Sequence, residues 1–394
     1  MDIYLVGGAV RDKLLGQTPT DFDYVVVGAT EEDMEKMGFK RVGKAFPVFL
    51  HPETRSEYAL ARKEIKKGKG HKAFIFEFAP TVTLEEDLIR RDLTINAMAM
   101  DKKSNKIIDP YEGKKDLESK VLRHVSPHFV EDPLRVLRVA RFNARFPEFS
   151  IDPSTLELMK NITKSGELKT LSSERILEEL SKAFLAPKPS LFFEILHSCE
   201  ALKELFPYLE TLKSSKNNDL DLNDWDYSFQ ILDLAKTFDF SLDLLFSVFF
   251  MVFGKSPKKA QREKDVKKLE TFLENLRFPQ KARQLCLETA RNNQIGHRLL
   301  ESSPKEILEL LKKLKAFHQG HTMLPDYLKC IEIESKLLYG NEKSSKIPSR
   351  MFYLIQELKN LNTSNLESKF QGKELGEAID EARKELIASI IQKP

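Results

Sequence analysis

The hydrophobic pattern changes period once along the chain, and that change constrains the fold more than any single residue does. Ahead of Glu131 the apolar residues fall in short β-branched or aromatic runs, IYLVGG, DYVVVG, FPVFLHP, EYALAR, FIFEFAP and KIIDPY, broken by Gly and Asp. Runs of that kind are strands of a sheet. From Glu131 onward, apolar residues recur every three or four positions in EDPLRVLRVARFNARF, STLELMKNI, SSERILEELSKAFL and PSLFFEILHSCEALKELF, which is the helical period. Two helical stretches interrupt the strands, RDKLLG and TLEEDLIRRDLTINAMAM, the second opened by Thr83 and Glu86 at the spacing of a capping box. The expectation is an α+β chain, with a mixed N-terminal domain holding a small sheet and an all-helical remainder.

With 394 residues, and roughly 100 to 200 residues per domain as the usual size, more than one core is expected. The polar stretches SSKNNDLDLND (214–224) and NEKSSKIPS (341–349) are the linker candidates. A hydrophobic share of 41% against 31% charged excludes wholesale disorder. The 63 Lys and Arg nearly balance 60 Asp and Glu, so any surface that binds nucleic acid must be local. Cys199, Cys286 and Cys330 are too far apart for a CxxC zinc pattern or a disulfide framework, which fits a reducing cytoplasm. The N-terminus lacks a basic stretch ahead of an apolar core, and SLDLLFSVFFMVFG is shorter than the roughly 18 residues a membrane helix needs. Neither secretion nor membrane insertion is expected.

Two motifs carry chemistry. Gly7-Gly8-Ala9-Val10-Arg11-Asp12 places two glycines between a strand and a helix, where backbone N–H groups can approach an anion and Arg11 can reach a phosphate. The same glycines would also serve an ordinary turn. Nine residues on, Asp21-Phe22-Asp23 opens the run YVVVG, and alternation along a strand directs both carboxylates to one face. Such a pair suits Mg²⁺, which takes hard oxygen ligands and needs only one or two carboxylates when substrate phosphates supply the rest.

These motifs, with EYALARKE, RRDLTINAMAM, IIDPYEGKKDLESKVLRHV and EDPLRVLRVARF following in order, make the first 200 or so residues resemble the class II nucleotidyltransferase family. That family contains bacterial CCA-adding enzymes and poly(A) polymerases, and the phrases after RRDLTINAMA look more like the CCA-adding branch. The resemblance implies a polymerase-β-like catalytic head over 1–125, an all-α neck with the nucleotide-selecting helix over 126–213, and a helical body and tail over 225–394 that bind the acceptor and T-arm of tRNA. It assigns Gly8, Arg11 and Arg91 to the nucleotide and Asp21 and Asp23 to Mg²⁺. Glu57 is either a third carboxylate beside them or a surface strand glutamate. Asp132 and Arg135, read as one helical turn apart, would address one base: the carboxylate accepts from an exocyclic amino group while the guanidinium donates to ring acceptors. Cytosine and adenine satisfy that pair, and G and U present the opposite polarity. Arg138 and Arg141, further along the helix, would neutralise the triphosphate or brace Asp132.

The implied reaction adds CCA to tRNA from CTP and ATP without a template. An enzyme of the same family that adds only A, or a non-catalytic RNA-binding protein on this scaffold, are the other readings. The basic segment Lys66-Lys67-Gly68-Lys69-Gly70-His71-Lys72 matches a loop that the family uses in switching from C to A. In the second half the branch often carries a metal-dependent phosphohydrolase with a His-Asp doublet before Gly-Lys. Here that position reads Met251-Val252-Phe253-Gly254-Lys255, so phosphohydrolase activity is expected to be absent, and His297, His318 and His321 are read as ordinary histidines.

Overall fold

The computed structural model describes residues 1–42, 47–66, 74–214, 216–217, 222–256, 258–298, 301–318, 322–340 and 346–391. The chain forms two compact units, Met1–Pro207 and Tyr208–Pro394.

In the first unit, β1 (Asp2–Val6) leads through a glycine turn into α1 (Gly8–Leu14), and β2 (Asp23–Val27) returns beside β1. After α2 (Glu31–Lys36) come β3 (Lys40–Arg41), β4 (Val48–Leu50) and β5 (Glu57–Leu60). β6 (Lys63–Lys66) and β7 (Phe74–Glu77) pair only with each other. The rest of the basic segment, residues 67–72, lies outside the described residues. α3 (Leu84–Leu88), β8 (Ala99–Asp101), β9 (Ile107–Ile108) and α4 (Gly113–Glu118) complete the head. Its seven-stranded sheet has the order β3-β4-β5-β2-β1-β8-β9. β2 lies at its centre, antiparallel to β1 and parallel to β5.

Period-two alternation divides the sheet into two faces. Val6, Val25, Ala97 and Ala99 pack with Leu84 and Leu88 of α3 on one face. Val26, Tyr58 and Leu60 pack with Met34, Phe39 and Phe49 on the other. The stretch TLEEDLIRRDLTINAMAM is not one helix, as its composition suggests. Thr83 and Glu86 do form the capping box, but α3 stops at Leu88. The chain then passes through a 3-10 turn, Thr94–Asn96, into β8. Past the end of α3, Asp92 accepts hydrogen bonds from Leu93 N at 2.8 Å and Asn96 Nδ2 at 3.1 Å, local bonding of the kind Asp and Asn side chains offer in place of a helix.

Beyond the head, β10 (Val121–Leu122) and β11 (Ser150–Ile151) make a short parallel ladder on either side of α5 (Leu134–Arg145). α6 (Pro153–Ser165), α7 (Ser173–Leu185), α8 (Ser190–Ser198) and α9 (Ala201–Leu205) follow. α5 packs against α7 and α8 through Val136, Leu137, Val139 and Ala140, each fully buried.

Among the described residues the second unit is helical apart from a two-residue ladder, Lys216–Asn217 with Leu222–Asn223, inside the polar stretch 214–224. Asn223 caps the next helix, Asp224–Ala235. Gly254 permits a close crossing, since a Cβ there would lie 1.7 Å from the Ala290 carbonyl oxygen. Beside it, the fully buried Glu334 gathers four donors. His297 Nε2 lies at 2.6 Å and Lys255 Nζ at 2.9 Å, and the Tyr227 hydroxyl and Asn293 amide complete the set. Although burial opposes ionisation, Lys255 and His297 hold Glu334 well below the usual carboxylate range. A depressed carboxylate contributes stability at neutral pH that is lost as pH falls through the acid range. Glu334→Gln, which strands Lys255, is expected to cost about 3–5 kcal/mol in urea unfolding near neutral pH, with the gap to wild type narrowing on acidification.

Candidate active site

The head sheet sets the carboxylates. Asp23 opens β2 and is in register with Val6 on β1 and with Glu57 on β5. Since β2 and β5 run parallel, Asp23 and Glu57 emerge side by side on one face. Asp21 precedes the strand, exposed like the other two. Desolvation by the surrounding protein and the charge of Asp21 hold the Asp23 carboxyl above its ordinary value, against the pull of Arg91. All three are hard oxygen donors. No three His, Cys, Asp or Glu side chains among the described residues close into a metal cage, and a Mg²⁺ site of one or two carboxylates plus substrate phosphates requires none. The donor set fits that ion.

The turn between β1 and α1 is the second component. Gly7 adopts φ 69° and ψ −132°, a mirror-β conformation that glycine adopts readily and residues with a Cβ avoid. A Cβ on it would lie 2.9 Å from Arg91 Nη1, so glycine both makes the turn and lets a guanidinium rest against it. The N–H groups of Gly8 and Ala9 precede the first helical bonds of α1, which Val10 N and Arg11 N make to the Gly7 carbonyl. Arg91 is loosely held, at 3.4 Å from Asp87 Oδ2 and 3.5 Å from the Asn96 carbonyl. Among the described residues its Nε is buried without a hydrogen-bond partner. A cation with unused donors beside an amide-lined turn suits a phosphate. Asp87, which Arg90 and Arg91 flank, stays below its ordinary pKa although burial pushes it up.

Arg11 sits otherwise than an outstretched phosphate ligand. It is 2% exposed, donates to Asp12 Oδ1 at 2.8 and 2.9 Å and to Asn96 Oδ1 at 2.5 Å, and lies over the rings of Phe142 and Phe146. Its guanidinium is 3.4 Å from the Cβ position of Gly8, so its charge lies beneath the turn.

The selecting segment is arranged differently from the helical spacing expected of it. Asp132 is extended, at φ −120°, and precedes α5, because Pro133 begins the helix and restricts the residue before it. Its Oδ1 accepts from Leu134 N at 3.1 Å and its Oδ2 from Arg175 Nη2 at 2.8 Å. Arg135 is turned toward backbone, donating to the carbonyls of His128 at 2.6 Å and of Arg90. Arg138 pairs with Asp92 through Nε and Nη2, both at 2.7 Å, and Arg141 with Glu179 at 2.5 Å. Asp92 is held well below the carboxylate range despite its burial, chiefly by Arg138. Both arginines thus engage carboxylates.

The sequence reading missed Asp87, Asn96, Arg175 and Glu179. Of these, Arg175 and Glu179 lie in SSERILEEL, which was read only as a helix; a charged pair one turn apart on that helix was the available signal.

Residues 3–123 match the family described as the poly A polymerase head domain, and residues 148–213 match the probable RNA and SrmB-binding site of polymerase A. A multifunctional CCA protein of Pseudomonas savastanoi pv. phaseolicola is 42% identical, covering 97% of both chains. Among solved structures, a CCA-adding enzyme in complex with CTP superposes with TM-score 0.67 at 22% identity, covering 100% of this chain and 88% of that one. The Thermotoga maritima CCA-adding enzyme complexed with tRNA gives 0.65 at 21%, covering 99% and 90%. At those identities the structures establish a shared fold.

Asp21→Asn, which removes a like charge, is expected to lower the pKa of Asp23. Carboxyl-carbon NMR titration of the metal-free protein measures this, and an unmoved Asp23 means the two do not share a site.

Proposed function

The chain belongs to the nucleotidyltransferase family of CCA-adding enzymes and poly(A) polymerases, and we propose on that premise that it completes the 3′ end of tRNA with CCA from CTP and ATP. The observation that carries the reading is the placement of Asp23 in register with Glu57 on a strand that neighbours the Gly7 turn and Arg91.

The 3′-hydroxyl oxygen of the RNA bonds to the α-phosphorus, and the bond to the bridging oxygen breaks to release pyrophosphate. Asp21, Asp23 and Glu57 would hold Mg²⁺, which when bound activates the attacking oxygen and stabilises the leaving group. The amides of Gly8 and Ala9 and the guanidinium of Arg91 hold the triphosphate, with the charge of Arg11 beneath. Asp132 and Arg135 read the base at the start of α5. Arg175 braces Asp132, and Arg138 and Arg141 brace the helix through Asp92 and Glu179. G and U leave buried donors facing donors, at a cost of about 1–3 kcal/mol for each unsatisfied group, so selection follows from hydrogen-bond polarity.

No helix among the described residues is long and apolar enough to cross a membrane. The second unit, with its helical body and tail, contributes the surface for the acceptor and T-arm.

Purified protein with Mg²⁺ and tRNA lacking CCA is expected to add two C from CTP alone and the full CCA from CTP with ATP. UTP, GTP and the Asp21→Ala variant should give no product. Extension by ATP alone would establish the A-adding reading instead.

The name of the Pseudomonas relative speaks of several activities, and hydrolysis of phosphoesters is not one that we assign to this chain. Met251 and Val252, at the doublet position, are buried apolar side chains in a 3-10 turn. Nearby, His297 and Glu334 saturate each other together with Lys255. A 2′,3′-cyclic nucleotide and p-nitrophenyl phosphate should remain intact with Mg²⁺, Mn²⁺ or Ni²⁺, and metal-dependent turnover that survives Asp21→Ala would overturn this assignment.

A further inference from the structure

Base reading and phosphate holding occur on different elements, α5 and the β1–α1 turn, and a closed chain of hydrogen bonds joins them. It leaves α5 at Arg138, which grips Asp92. Asp92 accepts from Asn96, and Asn96 accepts from Arg11. Arg11 grips Asp12, and Asp12 Oδ2 accepts from Arg145 Nη2 at 3.0 Å, which returns the chain to the last turn of α5. Arg138, Phe142 and Arg145 follow the i, i+4, i+7 spacing of one helix face, and Phe142 and Phe146 sandwich the Arg11 guanidinium between the two ends. The ring ties α5 down at two points seven residues apart, roughly 10 Å along its axis.

We propose that Arg145, acting through Asp12, is a positioning residue for nucleotide choice. A protein that reads a base without a template strand rejects the wrong one only if the reading groups cannot shift relative to the phosphates. A base of wrong polarity is otherwise accommodated by a small displacement and a water molecule. Arg135 and Arg138 anchor the first half of α5 to the head, through the Arg90 carbonyl and Asp92, but anchors confined to one half leave the helix a pivot. The Arg145–Asp12 pair removes it, and it does so on the residue adjacent to Arg11, beneath the triphosphate turn. This rests on Asp132 and Arg135 being the reading groups.

The test is the ratio of kcat/KM for CTP over UTP, which does not depend on the fraction of protein that is folded. Arg145→Met keeps an unbranched apolar side chain and removes the guanidinium, which reaches Asp12 and lies over the Phe146 ring. It is expected to lower the ratio roughly tenfold, the scale of a modest loss in discrimination, while affinity for inorganic tripolyphosphate stays at the wild-type value. Arg145→Lys retains charge without the fork and should fall between, which also keeps the test available if the Met variant does not fold. A melting temperature that drops in either variant with an unchanged ratio overturns the proposal and leaves Arg145 a purely structural residue. Asp132→Ala runs alongside: if it leaves the ratio intact, the base-reading assignment fails, and that outcome is distinct from failure of Arg145.

Discussion

The position of β2 at the centre of the head sheet is the constraint from which the site follows. Antiparallel pairing with β1 puts the start of β2 beside the end of β1, where the chain turns through Gly7 into α1. Parallel pairing with β5 puts Glu57 beside Asp23. One strand therefore brings a carboxylate, a second carboxylate and an amide-lined turn to a common edge, although the three come from separate segments. On the reverse face Tyr24 stacks on Tyr58 with ring centroids 4.5 Å apart, one residue along from the two carboxylates, so the pairing that aligns the acids is packed from behind.

Much of the head was legible because its determinants are local. Alternation along YVVVG is enough to set Asp23 on the face opposite Tyr24, although Asp21 lies ahead of the strand, and two glycines between a strand and a helix are enough to suggest an anion turn. The helical neck was legible for the same reason, since apolar residues repeat at its own period. Where local rules competed, the reading failed. TLEEDLIRRDLTINAMAM has helical composition throughout, but the side chains of Asp92 and Asn96 bond to each other and to nearby backbone, and β8 pairs with β1. Asp132 and Arg135 have the spacing of a helical turn, but Pro133 begins the helix after Asp132 and leaves that residue extended.

The partners of the site arginines were not legible at all. Arg138 and Asp92 are 46 residues apart, and Arg145 and Asp12 are 133 apart. Nothing in the spacing of either segment specifies the other. The near-balance of acidic and basic residues concealed the local concentration as well, because Arg138, Arg141 and Arg145 of α5 are each matched by an acid supplied from elsewhere: Asp92, Glu179 and Asp12. The net charge of the chain records the sum, and the folded structure distributes it.

In the second unit the cation that neutralises Glu334 is covalently attached. An ammonium on a side chain cannot be chelated, diluted away or exchanged for a competing ion, and its occupancy is one at every metal concentration. The charge that offsets Glu334 therefore comes with the chain itself.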